Sequence, residues 1–182
     1  MTRDLTRSAR GDGSGQSLAV ASRERPPWLV PLSLVLVVVG LLTSIYLTYE
    51  HFTDNSTLAC TANGVIDCVK VTSSQWSTLF GIPVAVLGLV FFVVLAGLCW
   101  PSVWRRGEAW LDWARLGWLT IGVGMVAYLV WAEVAKIHAI CLWCTVVHVT
   151  TFLLWISVMF GQILSGPPAS ATAAPTARGG RR

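Results

Sequence analysis

Cysteines at two distinct spacings are the residues in this sequence that could do chemistry. Cys141 and Cys144 form a Cys-x-x-Cys motif in the stretch HAICLWCTVVH, and Cys60 and Cys68 stand with seven residues between them in LACTANGVIDCVK. A thiolate is the nucleophile in thiol–disulfide exchange, and the partial positive charge of a helix N-terminus stabilises it. Because the Cys-x-x-Cys motif opens an apolar segment, we predict that Cys141 and Cys144 open and close a disulfide there.

The two cysteine pairs together favour an electron relay. A disulfide between Cys60 and Cys68, taken alone, is equally compatible with a bracing role in a loop. With a second dithiol on the same side of a small protein, thiol exchange can carry electrons from a soluble partner to the spaced pair and then to the Cys-x-x-Cys pair. Structural zinc is the competing interpretation of Cys-x-x-Cys, but neither pair has the Gly-rich turn that usually flanks such ligands.

Polar residues continue beyond the Cys-x-x-Cys motif on one face of the predicted helix. This stripe consists of Cys141, Cys144, His148 and Thr151. Its i, i+3, i+7 spacing gives a common face, and His148 lies about 6 Å deeper than Cys144 at the rise of an α-helix. A polar stripe inside a membrane span is costly unless it faces a cavity or partners. His148 therefore either makes a packing hydrogen bond or donates to an oxygen atom of a bound ligand.

The elements that position these residues are predicted to be membrane helices. Hydrophobic residues make up 54% of the 182 residues and charged residues only 12%, against about 25% charged residues in soluble domains. A spanning helix needs about 20 apolar residues, and backbone groups in the bilayer must pair within their own segment. Four segments qualify: Trp28 to Tyr49, Leu79 to Trp100, Leu116 to Ala135, and Ile140 to Leu164. The predicted fold class is an all-α membrane protein with a four-transmembrane-helix bundle.

Basic residues predict the orientation of this bundle in the lipid bilayer. Of the thirteen Lys and Arg residues, only Lys70 and Lys136 fall in the loops on the side of the two cysteine pairs. The positive-inside rule then makes both termini cytoplasmic and both pairs extracytoplasmic, in a multi-pass plasma-membrane protein. Disulfides persist on that side of the membrane. We interpret the basic excess as a topology signal and predict no nucleic-acid partner, and we interpret Cys99, at the inner end of the second span, as a buried structural residue.

The chain divides into a bundle and two tails. Residues 28–164 are the predicted catalytic bundle, and residues 1–27 and 165–182, rich in Gly, Ser, Ala, Pro and Arg, are predicted to be disordered cytoplasmic tails. The outer loop from His51 to Thr78 is too long for a simple connection. Its segment VKVTSSQWSTLFGIP mixes apolar and polar residues in a way that favours a short amphipathic element in the membrane interface. We predict an extracytoplasmic loop and half-helix that cap the outer mouth of the bundle.

Four motifs follow one another in a specific order along the chain. Cys60 and Cys68 come first, VTSSQW with Ser74 follows, then FGIPVAVLG, and CLWC opens the last span. This combination, over roughly residues 28–164, resembles the vitamin K epoxide reductase family. More closely, it resembles the bacterial members that oxidise thiols for disulfide formation.

The resemblance implies a role for each of the four cysteines. It implies a four-helix bundle that holds a quinone, menaquinone or a related membrane quinone, near Cys144. Cys60 would exchange with a thioredoxin-fold partner, and Cys68 would form a transient bond to Cys141. Cys144 would then meet the quinone.

The resemblance also suggests which residues contact the quinone and which properties do not carry over. Ser74 matches a Ser or Thr position near the family's active centre, and Ser74, Phe80 and His148 are our candidates for quinone binding. Vertebrate members have Tyr where this chain has His148, so epoxide reduction and anticoagulant sensitivity are not transferred. Many bacterial members carry a fused thioredoxin-like domain, whereas 18 residues follow the last span here. The expected redox partner is therefore a separate, DsbA-like thiol oxidase.

The predicted function is that of a membrane thiol:quinone oxidoreductase. It would oxidise the DsbA-like partner and pass the electrons through both cysteine pairs to a quinone, which supports disulfide formation in secreted proteins. One alternative is a quinone or vitamin K epoxide reductase that uses a dithiol donor without coupling to a folding oxidase. Another is a non-enzymatic four-helix membrane protein whose outer cysteines are permanently oxidised braces.

Overall fold

The computed structural model describes residues 25–55, 57–60 and 63–165 of the chain. Helices dominate this part and are, in chain order, α1 (Leu29–Phe52), α2 (Cys68–Thr72), α3 (Val84–Leu98), α4 (Pro101–Arg105), α5 (Ala109–Ala132) and α6 (Leu142–Leu164). The remaining elements are a 3₁₀ turn (Gln75–Ser77), an antiparallel hairpin of β1 (Thr78–Leu79) and β2 (Ile82–Pro83), and a π-helical turn (Glu133–Ile137) after α5. The predicted helical bundle is confirmed, whereas the predicted disordered tails lie almost entirely outside the described residues.

Among the described residues, three helices are long and apolar enough to cross a bilayer: α1, α5 with its π-helical turn, and α6. The predicted second span, Leu79 to Trp100, is shorter in the structure, because α3 has 15 residues. Ile82 and Pro83 pair with β1 before the helix begins, and Trp100 is extended in front of Pro101, which starts α4. At the rise of an α-helix, α3 covers about 22 Å of a hydrocarbon core of about 30 Å.

Helix α1 organises the bundle, since it packs against both α3 and α6, and α5 packs against α6. The buried core consists of Leu29, Val37, Phe92, Leu95, Cys99, Trp104, Leu119, Leu154 and Val158. A Cβ atom on Gly40 of α1 would lie only 2.1 Å from the ring of Phe92 in α3. The close approach of these two helices therefore depends on the missing side chain at Gly40, as is common between membrane helices.

Buried charges hold together the end of the bundle that lies opposite the cysteine pairs. The guanidinium of Arg115 donates to Asp112 and to the carbonyl oxygen of Leu98, each at 2.7 Å, and it lies 3.8 Å from the ring centroid of Trp104. Asp112 also accepts from Arg25 at 2.9 Å. Arg115 is fully buried inside α5, so it is a structural charge of the bundle. The positive-inside argument therefore depends on the other basic residues.

The cap over the bundle is built from several short elements in place of one half-helix. Helix α2 begins after Asp67, whose carboxylate accepts the backbone N–H of Lys70 at 2.9 Å as an N-cap. Within α2, the side chain of Val71 is buried and that of Val69 is exposed. The amphipathic pattern of this segment is thus realised by α2, the 3₁₀ turn and the β1–β2 hairpin.

Replacing Gly40 by alanine should destabilise the bundle, because the new methyl group would enter the space of the Phe92 ring. Gly124 in α5 is a matched control, since a Cβ atom there meets nothing within 4 Å, and alanine is favoured over glycine in a helix by about 0.5–1 kcal/mol. Thermal unfolding in detergent should show a lower midpoint for Gly40→Ala and an unchanged or higher one for Gly124→Ala. Equal midpoints in both variants would contradict the tight α1–α3 contact.

Candidate redox site and its cavity

The spaced cysteine pair lies in the loop that covers the bundle. Cys60 and Cys68 form a disulfide with their Cα atoms 6.0 Å apart. Cys60 is half-buried, whereas Cys68, at the beginning of α2, is only 1% exposed. An incoming thiolate can therefore approach the sulfur of Cys60, while the sulfur of Cys68 belongs to the interior.

The Cys-x-x-Cys pair lies at the N-terminus of α6, and both of its thiols are free. Cys141 is the N-cap residue, and its Sγ accepts the backbone N–H of Cys144 at 3.3 Å. A hydrogen bond from the Cys144 thiol lowers the pKa of Cys141, with smaller contributions in the same direction from backbone N–H groups, although burial opposes the shift. The fold therefore stabilises a thiolate on Cys141, the position where the sequence predicts one.

All four predicted cysteines come together in one cluster beneath the cap. Cys68 and Cys141 are both buried in a small core of their own, and Cys60 and Cys144 pack against its edge. The other buried members are Val71, Ile137 and Ala139. The inner sulfur of each pair thus lies in the same apolar cluster, which is the arrangement that exchange between the pairs requires.

Backbone hydrogen bonds fasten the loop to the start of α6. Ile66 and Ile140 form a parallel β-bridge, in which Asp67 N–H donates to the carbonyl oxygen of Ile140 at 3.1 Å and Ile140 N–H donates to that of Val65 at 2.9 Å. The bridging residue Ile66 lies two positions before Cys68, and Ile140 lies one position before Cys141. The bridge sets the register between the two pairs.

Aromatic residues hold the other side of the loop, next to Cys60. The indole N–H of Trp143 donates to the carbonyl oxygen of Ala59 at 3.0 Å, and the backbone N–H of Ala59 donates to the hydroxyl oxygen of Tyr46 at 2.9 Å. The rings of Tyr46 and Trp143 lie 4.8 Å apart between centroids. Trp143 is one of the two residues between the motif cysteines, so the motif itself helps to position the loop disulfide.

A largely apolar cavity of about 360 Å³ lies among α1, α3, α5, α6 and the cap. This volume falls within the range of small-molecule sites. Cys144 lines the cavity, whereas Cys141 does not. Polar or titratable side chains in the lining come from Ser44, His51, Thr72, Ser74, Ser77, Glu133, His148 and Thr151. The two motif cysteines thus face different neighbours, Cys141 the loop pair and Cys144 the cavity.

Two of the three predicted quinone contacts line this cavity. Ser74 and His148 are both in the lining, and the hydroxyl of Ser74 donates to the carbonyl oxygen of Val71 at 2.8 Å. Phe80 lies elsewhere: it occupies the turn between β1 and β2 with a positive φ of 53°, and 95% of it is exposed. The tight hairpin directs this ring away from the bundle, so the structure does not bring Phe80 to the site.

Two further cavity residues are absent from the sequence-based candidates. Glu133 is 5% exposed and lines the cavity together with Cys144. Its sequence signal is the one carboxylate within the third predicted span. Ser44 in α1 is 2% exposed, and its Oγ has no hydrogen-bond partner among the described residues. A serine inside an apolar helix usually bonds to its own backbone, so no sequence signal distinguishes Ser44.

A comparison with known protein families agrees with this geometry. Residues 31–159 match the sequence model of the vitamin K epoxide reductase family. The match covers more than two thirds of the 182-residue chain and includes all four clustered cysteines, the cap and the cavity.

The thiolate on Cys141 should form at a lower pH when Cys144 is present, because its thiol hydrogen bond lowers the pKa of Cys141. The test compares proteins in which Cys60, Cys68 and Cys99 are serine, with and without Cys144→Ala. Ultraviolet thiolate absorbance, followed during a pH titration of the reduced proteins, should show its first rise at lower pH in the protein that keeps Cys144. A first rise at the same pH in both proteins would contradict the assignment.

Proposed function

The chain belongs to the vitamin K epoxide reductase family, and we propose that it oxidises a separate, DsbA-like thiol oxidase and passes the electrons through its two cysteine pairs to a membrane quinone. Members of this family are generally membrane oxidoreductases that use quinones. The proposal adds the partner, the electron path and the residues of the site. The quinone is menaquinone or a related membrane quinone.

The observation that carries the proposal is that the two cysteines of the Cys-x-x-Cys motif have different surroundings. Cys141 shares a buried cluster with Cys68, while Cys144 lines the apolar cavity. A disulfide that only braced the surface would need neither a neighbouring dithiol nor access to a cavity. A relay needs a neighbouring dithiol beside one cysteine of the motif and a cavity beside the other.

The electron path follows from which sulfur each group can reach. A thiolate of the reduced partner attacks Cys60, and resolution by the partner's second thiol leaves Cys60 and Cys68 reduced and the partner oxidised. Cys68 then attacks Cys141 in the Cys141–Cys144 disulfide and releases Cys144. Attack of Cys60 on Cys68 restores the loop disulfide and leaves a dithiol beside the cavity. The structure has this distribution, with Cys60 and Cys68 joined and the other two free.

The cavity residues fit a quinone better than a charged ligand. Its lining is mostly aliphatic and aromatic and contains neither Lys nor Arg among the described residues. Ser44, His148 and Thr151 are the side chains that would hold the ring oxygens by hydrogen bonds. When bound, the quinone supplies a two-electron acceptor that also takes up protons. The protein positions that acceptor beside Cys144 and excludes water from it.

The proposed orientation places both cysteine pairs outside the cytoplasm and both termini inside. It follows from the positive-inside rule, with Lys70 and Lys136 on the cysteine side and exposed Arg105 and Arg106 at the opposite end of the bundle. This orientation also fits the chemistry, because thiol oxidation for secreted proteins proceeds in an oxidising compartment.

Cys144→Ala should abolish quinone reduction, because no sulfur would remain to face the cavity. Cys60→Ala should block electron uptake from the protein partner while a small dithiol still supports turnover. The measurement is anaerobic reduction of a soluble quinone analogue by the purified protein, supplied with a reduced DsbA-like protein or with dithiothreitol. Cys99→Ala is the control, since Cys99 lies in the core away from the site.

Each outcome of this assay separates the candidate functions. Normal turnover in both Cys144→Ala and Cys60→Ala would contradict the relay. Epoxide reduction with a small dithiol, without oxidation of the protein partner, would favour the reductase alternative. No turnover of the wild type with any dithiol donor would favour the bracing alternative.

Ser44→Ala should weaken quinone binding, because a bound ring oxygen would satisfy the buried hydroxyl that has no partner among the described residues. One hydrogen bond contributes about 0.5–1.5 kcal/mol, so the KM for the quinone analogue should rise about two- to tenfold with kcat little changed. Ser33→Ala is the matched control on the same helix, since Ser33 is buried outside the cavity and donates to Val30 at 2.9 Å. An unchanged KM in Ser44→Ala would remove Ser44 from the quinone site.

A further inference from the structure

Glu133 is the one carboxylate that lines the cavity among the described residues. It is 5% exposed and lies at the end of a helix that is apolar enough to cross a membrane. An ionisable side chain at such a position is costly to bury and usually has a function with a nearby partner. The partners that line the cavity with it are Cys144 and His148.

The local backbone brings Glu133 to the cysteine motif. Glu133 is the first residue of the π-helical turn, which ends at His138 in a left-handed conformation with φ 54°. Ala139 N–H then donates to the carbonyl oxygen of Glu133 at 3.3 Å, and Cys141 follows two residues later as the N-cap of α6. Single π-turns within α-helices are frequent at functional sites. Here the turn connects Glu133, which lines the cavity together with Cys144, to the start of the cysteine motif.

Within the described parts of the chain, no Lys or Arg lies within ion-pair distance of the Glu133 carboxylate. Lys136, on the same turn, is exposed, and its ammonium lies 5.3 Å from the ring centroid of Trp131. Burial of a carboxyl group without a cation lowers stability, so packing alone does not account for Glu133.

Glu50 shows what a structural buried carboxylate looks like in the same protein. It is 1% exposed and lies outside the cavity lining. Its Oε1 accepts the hydroxyl of Thr57 at 2.6 Å and its Oε2 accepts the N–H of the same residue at 3.3 Å. Both carboxylate oxygens of Glu50 are thus bonded to the loop, whereas Glu133 lines the cavity.

We propose that Glu133 carries the protons that leave the Cys141–Cys144 dithiol to the quinone. Oxidation of the two thiols forms one S–S bond and releases two electrons and two protons, and reduction of a quinone to a hydroquinone takes up the same number. Each proton leaves a thiol, binds to the Glu133 carboxylate and ends on a quinone oxygen, and each transfer regenerates the carboxylate. The inference rests on the proposed thiol:quinone activity and assigns its proton path.

This path supplies a proton carrier in a mostly apolar cavity. Water is the usual proton carrier, but a mostly apolar lining excludes it. The other titratable groups that line the cavity are His51, Cys144 and His148, and Cys141 lies outside the lining at the start of the same helix as Cys144. Among these groups, Glu133 is the one carboxyl group, and the turn that it begins leads directly to the cysteine motif. The histidines are the competing carriers and must be compared with it directly.

The test uses the pre-reduced full-length protein, mixed rapidly and without oxygen with a soluble quinone analogue. Glu133→Gln keeps the size of the side chain and an oxygen that can accept a hydrogen bond, but it cannot carry a proton. Quinone reduction should slow by about a hundredfold, the lower end of what general acid–base catalysis contributes. The rise of the wild-type rate with pH, as the carboxylate forms, should disappear in Glu133→Gln and persist in Glu133→Asp.

A second half-reaction separates this role from a structural one. Formation of the mixed disulfide between the reduced DsbA-like partner and Cys60 precedes any step at the Cys141–Cys144 pair, so its rate should be the same in Glu133→Gln and in the wild type. Glu50→Gln is the control for neutralising a buried carboxylate, and it should keep the wild-type rate and pH profile of quinone reduction. Glu133→Asp, which keeps the carboxylate, tests the proposal by its pH profile even if the Gln variant folds poorly.

Failure of the proton path differs from failure of the proposed function. A wild type that exchanges with the partner but does not reduce the quinone analogue would overturn both proposals. A wild type that reduces it, together with a Glu133→Gln variant of equal rate and pH profile, would overturn the role of Glu133 alone. Loss of the pH dependence in His148→Gln but not in Glu133→Gln would likewise overturn it, in favour of the histidine.

Discussion

The β-bridge between Ile66 and Ile140 is the interaction on which the organisation of the site depends. Backbone hydrogen bonds on either side of it join the capping loop to the residues just before α6. Because each strand of the bridge leads directly to a cysteine, the register of the bridge decides which sulfurs are neighbours. A loop of this length without such a bridge could hold its own disulfide, but it would not present Cys68 to Cys141.

The same short segment before α6 gives the two motif cysteines different environments. Cys141 caps the helix and receives hydrogen bonds that stabilise its thiolate. Cys144 lies one turn further into the helix and lines the cavity. A Cys-x-x-Cys motif at a helix N-terminus therefore places one sulfur beside the loop pair and the other beside the cavity. In the proposed relay, this separation would let one motif connect an aqueous thiol partner with a hydrophobic electron acceptor.

Electrostatics differ sharply between the two ends of the bundle. At one end, Asp112 pairs with both Arg25 and Arg115, and the guanidinium of Arg115 lies over the ring of Trp104. At the other end, Glu133 is buried without a cation in the described part of the chain. The paired charges stabilise the ends of α1, α3 and α5, whereas the unpaired carboxylate lowers stability beside the redox pair. Proteins tolerate this loss of stability where the buried group has a function.

The sequence by itself determined the membrane helices, the cysteine spacings and the family. These depend on composition, local periodicity and residues near one another in the chain, so Cys60, Cys68, Cys141 and Cys144 are identifiable from the sequence. Their assembly into one buried cluster required the tertiary structure, because it depends on hydrogen bonds between distant segments.

Side-chain direction was the part of the site that only the tertiary structure decided. A left-handed turn points Phe80 away from the bundle, although its motif suggested a ligand contact. Glu133 and Ser44 become candidates only because helix packing and a π-turn bring them to the cavity. Arg115 is charged and lies near a predicted loop, yet it packs inside the bundle, because Asp112 of its own helix and Trp104 of α4 enclose it. Sequence patterns identify the chemistry of each residue, but the faces that meet are decided by long-range packing.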